Sequence, residues 1–163
     1  MMLVDSSYHA NERTAAMSPR HGHQVHQHCY ACGDAPGGLG LRFTATGDGA
    51  VEAIFSCAAR YQGYDDMLHG GVISTLLDAA MTHCLLAAGV VAVTTELVVK
   101  FRRPLRPGID ARISAVIKKN YNRLYLTAAQ VTQENRVVAK ADGKFFAGSH
   151  DNENNGRGDL PRV

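Results

Sequence analysis

His69-Gly70-Gly71-Val72-Ile73-Ser74-Thr75-Leu76-Leu77-Asp78-Ala79-Ala80-Met81-Thr82-His83-Cys84-Leu85-Leu86-Ala87-Ala88-Gly89 is the stretch on which the fold turns. It reads as one long helix, opened by two glycines and closed by a third. From Val72 to Ala88 it holds no lysine, arginine, glutamate or proline. At ~100° per residue, Ile73, Leu76, Leu77, Ala80, Met81, Cys84 and Leu85 form one broad apolar arc, with Ala79 and Leu86 beyond it. A helix apolar over most of its circumference is a buried one. The remaining strip carries Gly71, Ser74, Thr75, Asp78 and Thr82.

Asp78 is the only acid on this rod, and an ionised carboxylate is costly to bury unless paired or hydrogen-bonded. A bland reading sends it to water at the helix edge. A sharper one joins it to the helix start. Backbone N–H groups there lack partners inside the helix and sit at the positive end of its dipole. Gly70 and Gly71 let another molecule approach that backbone closely. A carboxylate two turns along, roughly 12 Å of axial rise, is then placed to act on a substrate whose carbonyl oxygen rests on such amides.

The remaining composition narrows the class. With 163 residues the chain makes one domain with a real core. A net charge of +2 argues against nucleic-acid binding as the leading idea. Polar residues interrupt the helix before any apolar run reaches the ~18 residues of a membrane span. Residues 1–20 show no apolar core or cleavage signal, so a cytoplasmic location with reduced cysteines is expected. There is no phosphate-binding glycine loop, Gly-x-Ser-x-Gly elbow, His-Glu-x-x-His or internal repeat.

Outward from the helix, residues 1–27 read as a mobile polar leader, 28–148 as the folded domain and 149–163 as a disordered tail. Arg157-Gly158-Asp159 in that tail is read as coincidence. His21-x-His23-x-x-His26-x-His28-Cys29-x-x-Cys32 offers zinc donors by spacing. No second Cys-x-x-Cys pair exists, however, and the expectation is a histidine-rich leader running into a turn, with no metal. Leu41–Thr46 and Val51–Ser56 read as paired strands around Gly47-Asp48-Gly49. Residues 57–68 connect to the helix. Beyond it, Val90–Arg103, Ile109–Asn120, Leu124–Gln133 and Arg136–Ala147 read as strands, the last two joined by a tight turn at Glu134-Asn135. Ten-residue strands of ~33 Å match a helix of ~27 Å. The expected class is α+β: one antiparallel sheet of five to six strands curled around one central helix.

This order, with Leu68-His69-Gly70-Gly71 opening the helix, resembles the hotdog-fold acyl-CoA thioesterases. The branch it is similar to is the phenylacetate-pathway (PaaI-like) one. Cys29-Tyr30-Ala31-Cys32-Gly33 with Gly38-Leu39-Gly40-Leu41-Arg42-Phe43, then Tyr61-Gln62-Gly63, then Thr94 to Pro104 carry further likeness over roughly residues 29–147. The resemblance implies hydrolysis of an acyl-CoA or aroyl-CoA thioester to free acid and coenzyme A. The Gly70 N–H would polarise the carbonyl, Asp78 would attack or activate water, and His69 would orient substrate or water. It also implies a homodimer, or a dimer of dimers forming a homotetramer, in which one subunit's helix start meets the other's acid.

The branch often has asparagine six residues before the histidine. Gly63 stands there, which leaves the water to Gln62, Thr94 or Thr95. Gly71 is expected at the substrate, and Arg102 or Arg103 at coenzyme A phosphates, since guanidinium matches phosphate bidentately. Lys100 and Arg106 extend this basic cluster, and Lys118, Lys119 and Arg123 form another. No cofactor, nucleic acid or membrane is implied; coenzyme A belongs to the substrate. The alternative is a non-catalytic acyl-CoA-binding or sensing hotdog protein.

Overall fold

The computed structural model describes residues 26–34, 36–47 and 49–148. The expected leader up to residue 25 and the expected tail from residue 149 lie outside them. Helix α1 runs from Gly70 to Ala87. His69 is its N-cap, and Gly89 ends it with φ +76°. Val90 N–H donates to Leu85 O and Gly89 N–H to Leu86 O. That is the Schellman arrangement, which needs a left-handed residue after the cap, and glycine adopts it without strain.

The strands are β1 (Thr44–Ala45), β2 (Ala50–Phe55), β3 (Gln62–Tyr64), β4 (Met67–Leu68), β5 (Ala92–Phe101), β6 (Ala111–Tyr121), β7 (Leu124–Gln133) and β8 (Arg136–Ala147). Among the described residues, six form one antiparallel sheet in the order β1-β2-β6-β7-β8-β5. β3 and β4 pair separately, just before the helix. Hairpins join β6, β7 and β8. Glu134 and Asn135 both have positive φ, as a two-residue turn matched to strand twist requires. β2 then closes one side of this meander and β5 the other.

The helix packs against β2, β5, β6, β7 and β8. Ile73, Leu76, Leu77, Ala79, Ala80, Met81, Cys84, Leu85 and Leu86 are all buried. Each large side chain among them contributes about 1.5–3 kcal/mol by leaving water. By length and a mean hydropathy of 1.3 the helix could cross a membrane, contrary to the sequence expectation, but its apolar arc faces the sheet. The hotdog architecture of a curled sheet on one central helix is thus present.

One strand is shorter than its alternation suggests. Leu41–Thr46 yields only Thr44–Ala45. The amides of Leu39 and Leu41 donate instead to Tyr30 O and Ala31 O. The apolar side chains of Leu39 and Leu41 are buried as the pattern implies, but their backbone belongs to the Cys29–Cys32 loop.

Candidate active site

Ser, Thr, Asp or Asn usually caps a helix; here a histidine does. The Nδ1 of His69 accepts from Gly71 N–H at 2.9 Å. A neutral ring that accepts at Nδ1 carries its proton on Nε2. His69 is exposed, so this Nε2–H is a donor turned toward solvent or a ligand. A Cβ at Gly71 would lie 2.9 Å from the same Nδ1. Gly71 is therefore committed to holding the histidine, and its N–H is not free for a substrate. Gly70 differs: among the described residues its N–H has no acceptor.

The helix start opens on a cleft of about 530 Å³ lined by Gly63, Tyr64, Met67, His69, Gly70, Ile73, Phe101, Arg102 and Arg103, among others. The Phe101 ring lies over Gly70, with Cζ 3.4 Å from where a Cβ would stand. Gly63 has its own reason. A Cβ there would sit 3.0 Å from His69 Cδ2 and 3.1 Å from His69 Cα, so an asparagine in that place would need β3 and the histidine to move apart by a few tenths of an ångström. Gln62 is exposed and does not line the cleft; its Oε1 accepts from Asp66 N–H at 2.9 Å, closing a local turn. Of the two arginines, Arg103 Nη1 donates to Val137 O at 3.1 Å. The guanidinium of Arg102 has no partner among the described residues. Arg106 binds Gln133 through its backbone, outside the cleft lining. The second basic cluster serves the sheet: Lys118 lies 3.6 Å from Asp142, and Arg123 donates to Ala147 O and covers the Phe146 ring.

Asp78 is half-buried and is not among the residues lining that cleft. Its Oδ1 accepts from Thr94 Oγ1 at 2.7 Å. Thr94 reaches it because β5 carries a bulge. Thr94 opposes Phe145 and Glu96 opposes Lys144, leaving Thr95 as the extra residue. Such an insertion re-aims neighbouring side chains. Thr95 Oγ1 itself donates to Lys144 O at 3.1 Å, away from the acid. The entry segment lies near this patch as well. Burial pushes the His26 imidazole down from its ordinary pKa, and the charge of Asp78 partly opposes that shift.

Residues 66–140 match the family model of the thioesterase superfamily. The domain has the hotdog fold. A thioesterase-superfamily protein of known structure superposes on it with a TM-score of 0.68 at 22% identity, over 73% of this chain and 63% of the other. This chain thus spans under two thirds of that protein. The Escherichia coli PaaI protein of the phenylacetic acid degradation operon superposes with a TM-score of 0.63 at 20% identity, over 67% of this chain and 80% of PaaI. A Streptococcus mutans protein solved bound to acetyl CoA gives 0.62 at 21%, over 66% of this chain and 87% of that one. At these identities the structures share the fold. No curated protein matches the chain.

Within the hotdog domain, a single chain brings His69, Gly70, Arg102 and Arg103 to one cleft. Asp78 and Thr94 meet elsewhere, eight residues down the helix from Gly70, or about 12 Å of rise. Phe101 was not anticipated. In the sequence it is one more apolar residue of a strand, and only the crossing of β5 over the helix start gives it a place in the cleft.

Proposed function

We propose that the protein hydrolyses an acyl-CoA or aroyl-CoA thioester to the free acid and coenzyme A. The observation that carries the reading is the division of labour along α1: an unspent Gly70 N–H at a cleft with a free arginine, and a carboxylate already oriented by a hydroxyl. The thioester oxygen accepts from Gly70 N–H, which stabilises the negative charge that develops there during attack. One such donor contributes roughly 3 kcal/mol to the transition state. His69 Nε2–H donates to the substrate or the water. Asp78, fixed by Thr94, removes the water's proton as the water adds, or adds to the carbonyl carbon itself. The C–S bond then breaks and coenzyme A leaves as the thiol; in the second case water hydrolyses the resulting anhydride. Arg102 holds a phosphate of coenzyme A, and Arg103, half committed to Val137 O, closes the other side of the cleft.

A gap of about 12 Å is too long for one chain's acid to reach a carbonyl on its own Gly70. The active unit is therefore a homodimer related by a two-fold axis, each site joining one subunit's cleft to the other's acid. Pairing of two such dimers gives the tetramer. The same reading needs no resident cofactor for hydrolysis.

The test is a panel of acyl- and aroyl-CoAs with a thiol-detecting dye. The expected result is release of free thiol from at least one thioester, lost by about 10²–10⁴-fold in Asp78→Ala with the fold intact. Tight acyl-CoA binding without release from any thioester would replace hydrolysis by sensing. Unchanged turnover in Asp78→Ala would remove Asp78 from the chemistry.

A further inference from the structure

The loop that captures the backbone of Leu39 and Leu41 gathers three soft donors. The ligating atoms of His26, Cys29 and Cys32 all lie within 4.8 Å of one another. Cys32 Sγ is 3.6 Å from His26 Nδ1. Zinc–sulfur bonds of 2.3 Å and zinc–nitrogen bonds near 2.0–2.1 Å at a tetrahedral angle put nitrogen and sulfur roughly 3.6 Å apart. The two atoms already stand at the spacing of one edge of such a site.

The loop is braced to keep them there. Gly33 N–H donates to Cys29 O at 2.7 Å, and Cys29 N–H to His26 O at 3.0 Å. Arg42 Nη1 donates to Cys32 O at 2.7 Å, while its Nη2 pairs with Asp34 Oδ1 at 2.6 Å. Cys32 is buried; Cys29 and His26 are half-buried. His26 sits against α1, where it meets the edge of the His83 ring at 5.8 Å, and His83 stacks on Phe43 at 4.6 Å.

We propose that His26, Cys29 and Cys32 bind a zinc ion that pins the entry segment beside His83 of α1. The Cys thiols lose their protons on binding, so two thiolates offset the charge of the dication. His83 or a water takes the fourth position. The work of the ion is structural. Nothing in this assignment depends on thioester hydrolysis.

The experiment uses the full chain without a histidine tag, purified under reducing conditions. Mass spectrometry of metals should find about one zinc per chain, and chelation should lower Tm by several degrees with recovery on adding zinc. Cobalt added to the stripped wild-type protein should give a thiolate-to-cobalt charge-transfer band, absent in Cys29→Ser/Cys32→Ser and shifted in His26→Ala. A cobalt band lost or shifted in His83→Ala identifies the fourth ligand; an unchanged band assigns water, and either supports the site. Little metal together with no cobalt band in wild type would overturn the proposal. So would full metal content in the double serine variant, which would place the ion on other histidines. A Cys29–Cys32 disulfide in protein whose thiols were blocked at lysis would make the pair a redox couple instead.

Discussion

The two ends of the polar strip on α1 are built on opposite terms. At Gly70 the backbone presents a donor that nothing in the described chain accepts, beside a cleft open to solvent. At Asp78 the carboxylate already has a donor, Thr94 Oγ1 at 2.7 Å, and is half shielded by its surroundings. Under the proposed function, one end would receive an oxygen and the other would act on a carbon or a water. On the proposed reading, the difference teaches that a chain can carry both halves of a reaction and still need a second copy to perform it. The helix that supplies both also keeps them two turns apart.

The sharpest way to break this comparison is to silence the first end without disturbing the helix. Gly70→Pro removes the N–H at the first helical position, where proline is tolerated. His69 before it is already extended at ψ 133°, as a residue preceding proline must be. Turnover should fall about 10²–10³-fold with the circular dichroism spectrum unchanged; full activity would show that Gly70 is not the donor. Mixing refolded Gly70→Pro and Asp78→Ala subunits should then restore roughly a quarter of wild-type activity, because half of the dimers carry one intact composite site. No recovery in demonstrably mixed dimers would return both groups to one subunit. Thr94→Val tests the second end more gently. Loss of one hydrogen bond to a carboxylate should lower kcat about tenfold while KM stays nearly constant, whereas Thr95→Val should leave both alone. The smallest effect belongs to the cleft wall. Arg102→Ala should raise KM for a coenzyme A thioester several-fold and leave KM for a phosphate-free pantetheine thioester unchanged.

How much of this was legible beforehand differs from residue to residue. The helix was, because apolar side chains cover most of its circumference and Gly89 marks its stop. β7 and β8 were, down to their end residues, because alternation and a Glu134-Asn135 turn leave one register. The pairing of Leu39 and Leu41 with Tyr30 and Ala31 was not, since side-chain pattern says nothing about which carbonyl a backbone amide will find. Around the cleft, Gly70 followed from the unpaired amides of a helix start and His69 from the family resemblance. The commitment of Gly71 to His69 and of Gln62 to Asp66 did not, because each is a contact of one side chain with one amide. Gly63 looked like a missing asparagine; its meaning is the 3.0 Å approach to the histidine ring, which is a fact of three dimensions. The bulge that turns Thr94 rather than Thr95 toward the acid is equally silent in a run of residues that all favour strand.

The cysteines tucked beneath the sheet have a practical consequence. Burial raises the Cys57 thiol from its ordinary 9.0 to about 11 and raises Cys84 in the same direction. Near neutral pH both are protonated as well as covered, so a disulfide dye added to follow coenzyme A should not see them while the domain is native. The same shift sets an alkaline limit. Cys57 favours the native state fully below pH 9, and that preference fades as pH rises toward 11, so Tm should decline across this window and less so in Cys57→Ala. Colour from these two cysteines, arising without substrate and beyond what the half-buried Cys29 contributes, counts domains that have come apart.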